Sequence, residues 1–107
     1  MRKIVINLLL HFLIINSVIS QNKLIGLVTA DTDSAQVLPF ASVVLFSNDA
    51  PFKSTITDLR GNYVFTDIKP NSYQIKCSFL GYEEYSQELN IKKGTTKLDI
   101  SLKPASF

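Results

Sequence analysis

The sequence has little of what catalysis usually requires. It contains one cysteine, one histidine and no tryptophan, and the histidine, His11, lies in an apolar run near the N-terminus. Residues 21–107 therefore have no imidazole, which excludes Ser–His and Cys–His nucleophilic pairs and histidine metal ligands from that part of the chain. The single cysteine, Cys77, cannot form an internal disulfide, so the fold must be stabilised by its apolar core.

The first 20 residues have the organisation of a secretory signal peptide. Arg2 and Lys3 precede an apolar run over residues 4–15, and Val18 and Ser20 occupy the −3 and −1 positions for cleavage before Gln21. The apolar run is too short to span a membrane comfortably, so a cleaved signal is favoured over a membrane anchor. We expect residues 1–20 to be removed and residues 21–107 to form one exported domain with no membrane span.

The charge of the domain differs from that of the whole chain. Without Arg2 and Lys3 the 11 basic residues fall to nine, which equals the nine acidic residues. A domain with no excess of positive charge has no electrostatic basis for holding a phosphate backbone. We therefore expect no nucleic-acid partner.

Residues 21–107 contain seven strand candidates and no predicted helix. The candidates lie at 23–30, 38–46, 53–57, 62–66, 72–80, 82–91 and 95–103. In the two strands with the clearest alternation, the inward-facing residues are predicted to be Tyr73, Ile75, Cys77, Phe79, Leu98, Ile100 and Leu102. Short strands separated by turn residues predict a sandwich of two sheets.

Two turns are predicted from individual residues. Between the strands at 53–57 and 62–66, the Asp58 carboxylate can accept a backbone N–H two residues on, and Gly61 can adopt positive φ. A four-residue loop with a late glycine is typical of a hairpin, so these two strands are predicted to pair. Gly81 likewise separates the predicted strands at 72–80 and 82–91. Asp58, Gly61 and Gly81 are therefore predicted to be structural turn residues without a catalytic role.

Five motifs occur along the chain in a recognisable order. They are Gly26-Leu-Val28, Leu38-Pro-Phe-Ala-Ser-Val43, Thr57-Asp58 followed by Gly61-x-Tyr63-x-Phe65, Tyr73, and Phe79-Leu-Gly-Tyr82. Together they resemble the carboxypeptidase regulatory-like domain over essentially all of residues 21–107. The resemblance implies an all-β fold, a seven-stranded antiparallel Greek-key β-sandwich of the transthyretin (prealbumin) type. It also implies no enzymatic activity, because this domain is the accessory part of the peptidase and carries none of its zinc machinery.

In Gram-negative bacteria, domains of this family commonly follow the signal peptide of TonB-dependent outer-membrane receptors. The resemblance therefore implies a place in the periplasm or outer membrane and a partner there, an outer-membrane receptor or another envelope protein. In those receptors a plug and a β-barrel follow this domain, and residues 21–107 contain neither. We therefore expect the chain to be either a free-standing domain or the leading part of a longer receptor. We expect a non-enzymatic accessory or interaction domain that needs no cofactor and no metal.

A small carbohydrate-binding module is the alternative function. Domains of this architecture include sugar binders, whose platforms usually need exposed aromatic rings. Tyr82 and Tyr85 lie in the polar strand at 82–91, three residues apart and so on opposite faces. At least one is expected to be exposed, which makes the pair a candidate surface for a glycan or a protein. Tyr63 and Tyr73 are expected in the core.

Overall fold

The computed structural model describes residues 22–106, and the predicted signal peptide lies outside that range. Within the described range the chain is all β, as predicted from its alternation. Its eight strands are β1 (Lys23–Ala30), β2 (Ser42–Ser47), β3 (Ala50–Ile56), β4 (Asn62–Thr66), β5 (Asn71–Ser78), β6 (Tyr85–Ile91), β7 (Thr95–Lys97) and β8 (Ile100–Leu102). Among residues 22–106 there is no helix of the length and hydrophobicity that a membrane crossing requires.

The first sheet is built around β1. It has the order β4-β1-β7, and β8 pairs with the second half of β1. β4 runs antiparallel to β1, whereas β7 and β8 run parallel to it. The prediction of a wholly antiparallel sandwich is therefore wrong for this edge. The parallel pairing is possible because β1 and the last strands are joined by the whole remaining chain and not by a tight turn.

The second sheet has the order β3-β2-β5-β6 and is antiparallel throughout. β2 and β3 are joined by Asn48 and Asp49, whose φ angles are 51° and 65°. Positive φ at both central residues is the requirement of a type I′ turn, and asparagine and aspartate tolerate it. This pair therefore forms the tight hairpin of the molecule.

The predicted hairpin between residues 53–57 and 62–66 is wrong. The turn itself is present, with hydrogen bonds of 2.9 Å from the Asp58 N–H to the Asn62 carbonyl and 3.0 Å from the Gly61 N–H to the Asp58 carbonyl. The two strands then separate, because β3 pairs with β2 and β4 pairs with β1. The turn joins the two sheets. The period-2 pattern of both strands fits either pairing, so the sequence could not distinguish them.

The core lies between the two sheets and follows the predicted alternation. Ile75, Cys77, Ile100 and Leu102 are all buried, as is Tyr73. The remaining core positions include Leu24, Val28, Val43, Leu45, Tyr63 and Phe65. The exceptions are Phe79 and Leu98, which were predicted to face inward and are half-buried against the edge of the core.

The predicted last strand at 95–103 is two short strands because the chain leaves β1 at Leu98 and Asp99. The register is the same on both sides of the break, with Ile25 opposite Lys97 and Val28 opposite Ile100. At the break the Tyr63 hydroxyl donates to the Leu98 carbonyl at 2.5 Å. A Cβ on Gly26 would lie 1.8 Å from that same carbonyl oxygen, so only glycine fits there. A glycine inside a strand often marks such a close approach of two backbones.

The sandwich has two ends with different connections. We call one the loop end, which contains residues 31–41, 57–61, 79–84 and 103–106. The other is the turn end, which contains residues 48–49, 67–70 and 92–94. The assignment follows from the register, which places Ser42, Ile56 and Ser78 side by side at the loop end of the second sheet.

Candidate functional site

The candidate site is at the loop end, where two turns lie next to each other. The first turn comprises residues Leu38 to Ala41. Pro39 has the fixed φ that suits the second position of a turn, and Phe40 in the third position has a φ of 63°. A bulky residue rarely adopts the left-handed region, which costs about 1–2 kcal/mol for a residue with a Cβ. The phenylalanine ring is 60% exposed, so little core packing offsets that cost.

The side chain of Thr57 holds the first turn in place. Its hydroxyl accepts a hydrogen bond from the Ala41 N–H at 2.8 Å and donates one to the Leu38 carbonyl at 2.6 Å. The hydroxyl thus stands between the two backbone groups that would bond directly in an ordinary turn. Thr57 also bonds through its backbone, accepting from the Phe40 N–H and donating to the Ala41 carbonyl. Since Thr57 is 1% exposed, these bonds are shielded from water and fix the conformation of Phe40.

The second turn comprises residues Phe79 to Tyr82. It is closed by a hydrogen bond from the Tyr82 N–H to the Phe79 carbonyl at 3.0 Å, and Gly81 has a φ of 90°. These are the features of a type II turn, which needs glycine in its third position. Leu80 is in the second position and points into solvent with 96% of its surface exposed.

Four apolar side chains of the loop end form what we call the end patch: Phe40, Ile56, Phe79 and Leu80. Ile56 lies across from Ser42, and Ser42 lies across from Ser78, so the three form one row on the outer face of the second sheet. Phe40 precedes Ser42 by two residues and Leu80 follows Ser78 by two. The shallow concavity between Phe40, Phe79, Leu80 and the two serines has a volume of about 490 Å³.

Five of the seven large apolar side chains that are exposed in residues 22–106 lie at or beside the loop end: Val37, Phe40, Ile56, Leu59 and Leu80. Single exposed apolar residues are ordinary on protein surfaces, whereas a contiguous group indicates an interaction site. The end patch is such a group.

The predicted turn residues Asp58 and Gly61 are also at the loop end. One Asp58 carboxylate oxygen accepts hydrogen bonds from the N–H groups of Arg60 and Asn62, both at 2.9 Å. Gly61 has a φ of 80°. A Cβ on Gly61 would lie 2.9 Å from the Val28 carbonyl oxygen, so the turn also packs closely against β1.

Tyr82 and Tyr85, the predicted partner surface, do not form an exposed aromatic platform. Both are half-buried and packed against the core. The Tyr82 ring lies 5.8 Å from the Phe79 ring, and the Tyr85 hydroxyl donates to the Gln87 side-chain carbonyl. Burial raises the pKa of Tyr85, with Cys77 adding to the effect.

Cys77, Asp58 and Asp99 are reactive side-chain types outside the end patch. Cys77 is fully buried, and desolvation raises the pKa of its thiol to about 11, so the reactive thiolate is scarce at neutral pH. Residues 22–106 contain no cluster of three or more metal-ligating side chains. A second concavity of about 480 Å³ lies over the outer face of the first sheet and includes Asp58 and Asp99. There one Asp99 carboxylate oxygen accepts a hydrogen bond from the Leu27 N–H at 3.0 Å. The side chain thus takes the place of a backbone acceptor at the break between β7 and β8.

The sequence reasoning missed Phe40 and Leu80, which it placed within the strands at 38–46 and 72–80. Both stretches are interrupted by the turns described above, so β2 begins at Ser42 and β5 ends at Ser78. A signal was available, since Pro39 and Gly81 each suit one of the two central positions of a type II turn. A large apolar residue at the centre of such a turn is expected on the surface, because turns lie there.

Solved structures of several kinds share the fold. The minor pilin GBS52 of Streptococcus agalactiae has 17% sequence identity and a TM-score of 0.67, with 82% of this chain and 46% of the pilin covered. The TIE protein of Bacillus anthracis has 20% identity and a TM-score of 0.67, over 78% of this chain and 17% of that protein. Catechol 1,2 dioxygenase of Acinetobacter radioresistens has 11% identity and a TM-score of 0.63, over 85% of this chain and 54% of the enzyme. This chain thus spans only about half of these proteins or less, and such low identities establish the fold alone.

Sequence comparison gives a more specific result. No curated protein matches the chain. The family model of the CarboxypepD_reg-like domain matches residues 24–107, which is nearly the whole of the predicted domain. The five motifs that first indicated this family lie within the matched range, and the all-β sandwich is the fold they implied. The chain belongs to the family of CarboxypepD_reg-like domains.

Proposed function

We propose that this chain is a non-catalytic interaction domain and that the end patch is its contact surface for a protein partner. The observation that carries the proposal is Phe40. An aromatic residue is held in the left-handed region by a buried threonine, yet its ring is 60% exposed. Backbone strain that the surrounding structure maintains without a packing benefit is characteristic of binding sites.

The make-up of the end patch supports a protein partner. Contact surfaces between proteins have an apolar centre enriched in aromatic side chains, and a few large residues contribute most of the binding energy. Phe40 and Leu80 are the largest exposed side chains of the patch, and each is presented by a turn with a fixed backbone. Such preorganised side chains lose little conformational entropy when they bind.

Export to the bacterial envelope is the second part of the proposal. It rests on the signal-like residues 1–20 and on membership of a family that often precedes TonB-dependent outer-membrane receptors. In this setting the domain would be an accessory to a receptor or to another envelope protein. Its localisation can be tested by immunoblotting fractionated envelopes of the source bacterium with an antibody against residues 21–107. Detection only in the cytoplasm would contradict the proposed export.

Photo-crosslinking in the producing cells tests the contact surface. A photoreactive residue in place of Ser78, which is exposed within the end patch, should yield a discrete crosslinked product. The same residue in place of Thr66, which is exposed in β4 beside the turn end, is the matched control and should yield none. Equal products from both positions, or no product from Ser78, would contradict the proposal.

The alternative of a carbohydrate-binding module has no specific structural observation in its favour. Stacking on a sugar requires an accessible ring face. Tyr82 and Tyr85 are half-buried against the core, and the exposed aromatic ring of the loop end belongs to Phe40. We therefore advance only the protein-interaction proposal.

A further inference from the structure

The charges of the domain are separated between its two ends. Residues 22–106 contain equal numbers of acidic and basic side chains, but the loop end is acidic. Its carboxylates are Asp31, Asp33, Asp58, Glu83 and Glu84, and its cations are Arg60 and Lys103. The turn end and the adjoining start of β1 have the opposite balance. Their cations are Lys23, Lys69, Lys92 and Lys93, and their carboxylates are Asp49 and Asp67.

Three of the loop-end carboxylates neighbour residues of the end patch along the chain. Glu83 and Glu84 follow directly after the turn that presents Leu80, and the Glu83 N–H bonds to the Lys103 carbonyl at 2.8 Å. Asp58 follows Thr57, whose backbone carbonyl accepts the Phe40 N–H. All these carboxylates are exposed, so they can attract a partner without a large desolvation cost.

We propose that the end patch binds a polypeptide segment in which large apolar side chains are flanked by lysine or arginine. This inference rests on the proposed function of the end patch and adds the chemistry of its partner. The apolar side chains pack against Phe40 and Leu80, and the basic groups lie near the carboxylates of the loop end. Complementary charge around an apolar centre mainly sets the association rate and the choice between partners.

A second copy of this chain is a less suitable occupant. The turn end of another copy has the complementary positive charge. However, the turns there present Asn48, Asp49 and Lys93, Ile68 is buried, and the ring of Phe52 in the adjoining β3 is stacked on Tyr73. A head-to-tail contact would therefore place Leu80 mainly against polar turn residues.

Selection from a random dodecapeptide display library tests the inference. The purified full chain is the target, and Leu80→Ser of the same chain is used for counter-selection. Peptides that require Leu80 should be enriched in lysine and arginine next to leucine, isoleucine or aromatic residues, and depleted in aspartate and glutamate. Selected peptides with no basic enrichment, or no peptide that requires Leu80, would overturn the inference.

Charge variants of the target then test whether the carboxylates of the loop end contribute to peptide binding. Asp31→Asn, Asp33→Asn, Glu83→Gln and Glu84→Gln are combined, and Asp58 is left intact because it caps a turn. This variant should bind the selected peptide about tenfold more weakly than the wild type in dilute salt. The control, Lys92→Gln combined with Lys93→Gln, should bind the peptide as tightly as the wild type. The difference should shrink at 0.5 M salt, where exposed charges are screened. Unchanged binding by the acidic-to-neutral variant would overturn the inference.

The two proposals can fail separately. A crosslinked product at position 78 together with selected peptides that lack basic residues would retain the interaction surface and reject its charge preference. A concentration-dependent dimer in sedimentation that Leu80→Ser abolishes would make a second copy the occupant and overturn the inference. Selected basic peptides without any crosslinked product in cells would support the charge preference and contradict the proposed function.

Discussion

The two ends of the sandwich achieve similar backbone geometry with different residues. At the turn end, positive φ falls on Asn48, Asp49, Asp67 and Gly94, which are residue types that tolerate it. At the loop end it falls on Gly61 and Gly81 but also on Ala35 and Phe40. The turn end is therefore built from residues suited to tight turns, whereas the loop end holds an aromatic residue in a conformation it disfavours.

This difference supports the proposal that the loop end carries a functional constraint. A sandwich of this kind needs connections at both ends, and the turn end shows that polar residues can provide them. We therefore expect that the fold does not require Phe40 and Leu80 at the loop end. Their exposure and the buried Thr57 that fixes one of them point to selection for a surface. Substitutions at matched positions of the two ends can test this reading.

Removal of the Thr57 hydroxyl should have the largest effect. Thr57→Val keeps the shape but leaves the Ala41 N–H and the Leu38 carbonyl without their partner in a buried site. We expect a loss of about 2–4 kcal/mol in the free energy of unfolding, since each buried unsatisfied group costs about 1–3 kcal/mol. The control is Thr66→Val at the turn end, where the side chain is exposed and the effect should stay below about 0.5 kcal/mol. Urea denaturation measures both, and equal losses would contradict the role of Thr57.

Alanine substitution of three glycines separates backbone strain from packing. Gly81 and Gly94 have φ of 90° and 91°, and a Cβ on either would meet nothing within 4 Å. Both variants should therefore lose only the strain of the left-handed region, about 1–2 kcal/mol. Gly61→Ala should lose about 2–3 kcal/mol, because its Cβ would also press on the Val28 carbonyl. Thermal unfolding, monitored by circular dichroism, ranks the three variants by stability. A Gly61→Ala variant as stable as the other two would contradict the prediction.

Exchange of residue types between the ends tests the strain at Phe40 directly. Asn48→Phe puts a bulky residue in the left-handed region at the turn end and should lower the free energy of unfolding by about 1–2 kcal/mol. Phe40→Asn should change it by less than about 0.5 kcal/mol, because relief of strain offsets the loss of partial burial. Urea denaturation of the two variants is the measurement. A large loss for Phe40→Asn would mean that the ring is needed by the fold and would remove the main support for the end patch.

The sequence was sufficient for the fold class because period-2 alternation is a local signal. Ile75 and Cys77 in β5 and Ile100 and Leu102 in β8 were placed in the core correctly. The partner of each strand was not predictable from the same signal. Residues 62–66 alternate equally well whether they pair with β3 or with β1, and only the packing of the two sheets decides between them.

The candidate site was harder to predict for a related reason. Apolar residues are normally assigned to the core, so Phe40 and Leu80 were assigned to strands. Their exposure depends on where the strands end, which in turn depends on the hydroxyl of Thr57 and on the turn at Gly81. Strand ends are among the least reliable features of a sequence-based prediction. At least one of Tyr82 and Tyr85 was expected to be exposed in a polar strand, but both are half-buried against the core. At Tyr82, the chain after β8 returns to the same edge, where Pro104 pairs with it.

The smallest effect on stability is expected for Leu80→Ser. Leu80 is 96% exposed and lies in a turn whose conformation is set by Gly81, so the free energy of unfolding should change by less than about 0.5 kcal/mol. The same variant should abolish crosslinking from position 78, because it removes the most exposed apolar side chain of the end patch. Val64→Thr is the matched control, since Val64 is 51% exposed on the outer face of the first sheet and is not part of the patch. Both variants should unfold like the wild type, and only Leu80→Ser should lose the crosslinked product. A Leu80 variant that keeps the product would show that the contact at the loop end does not depend on Leu80, and the exposure of that side chain would then follow from turn chemistry alone.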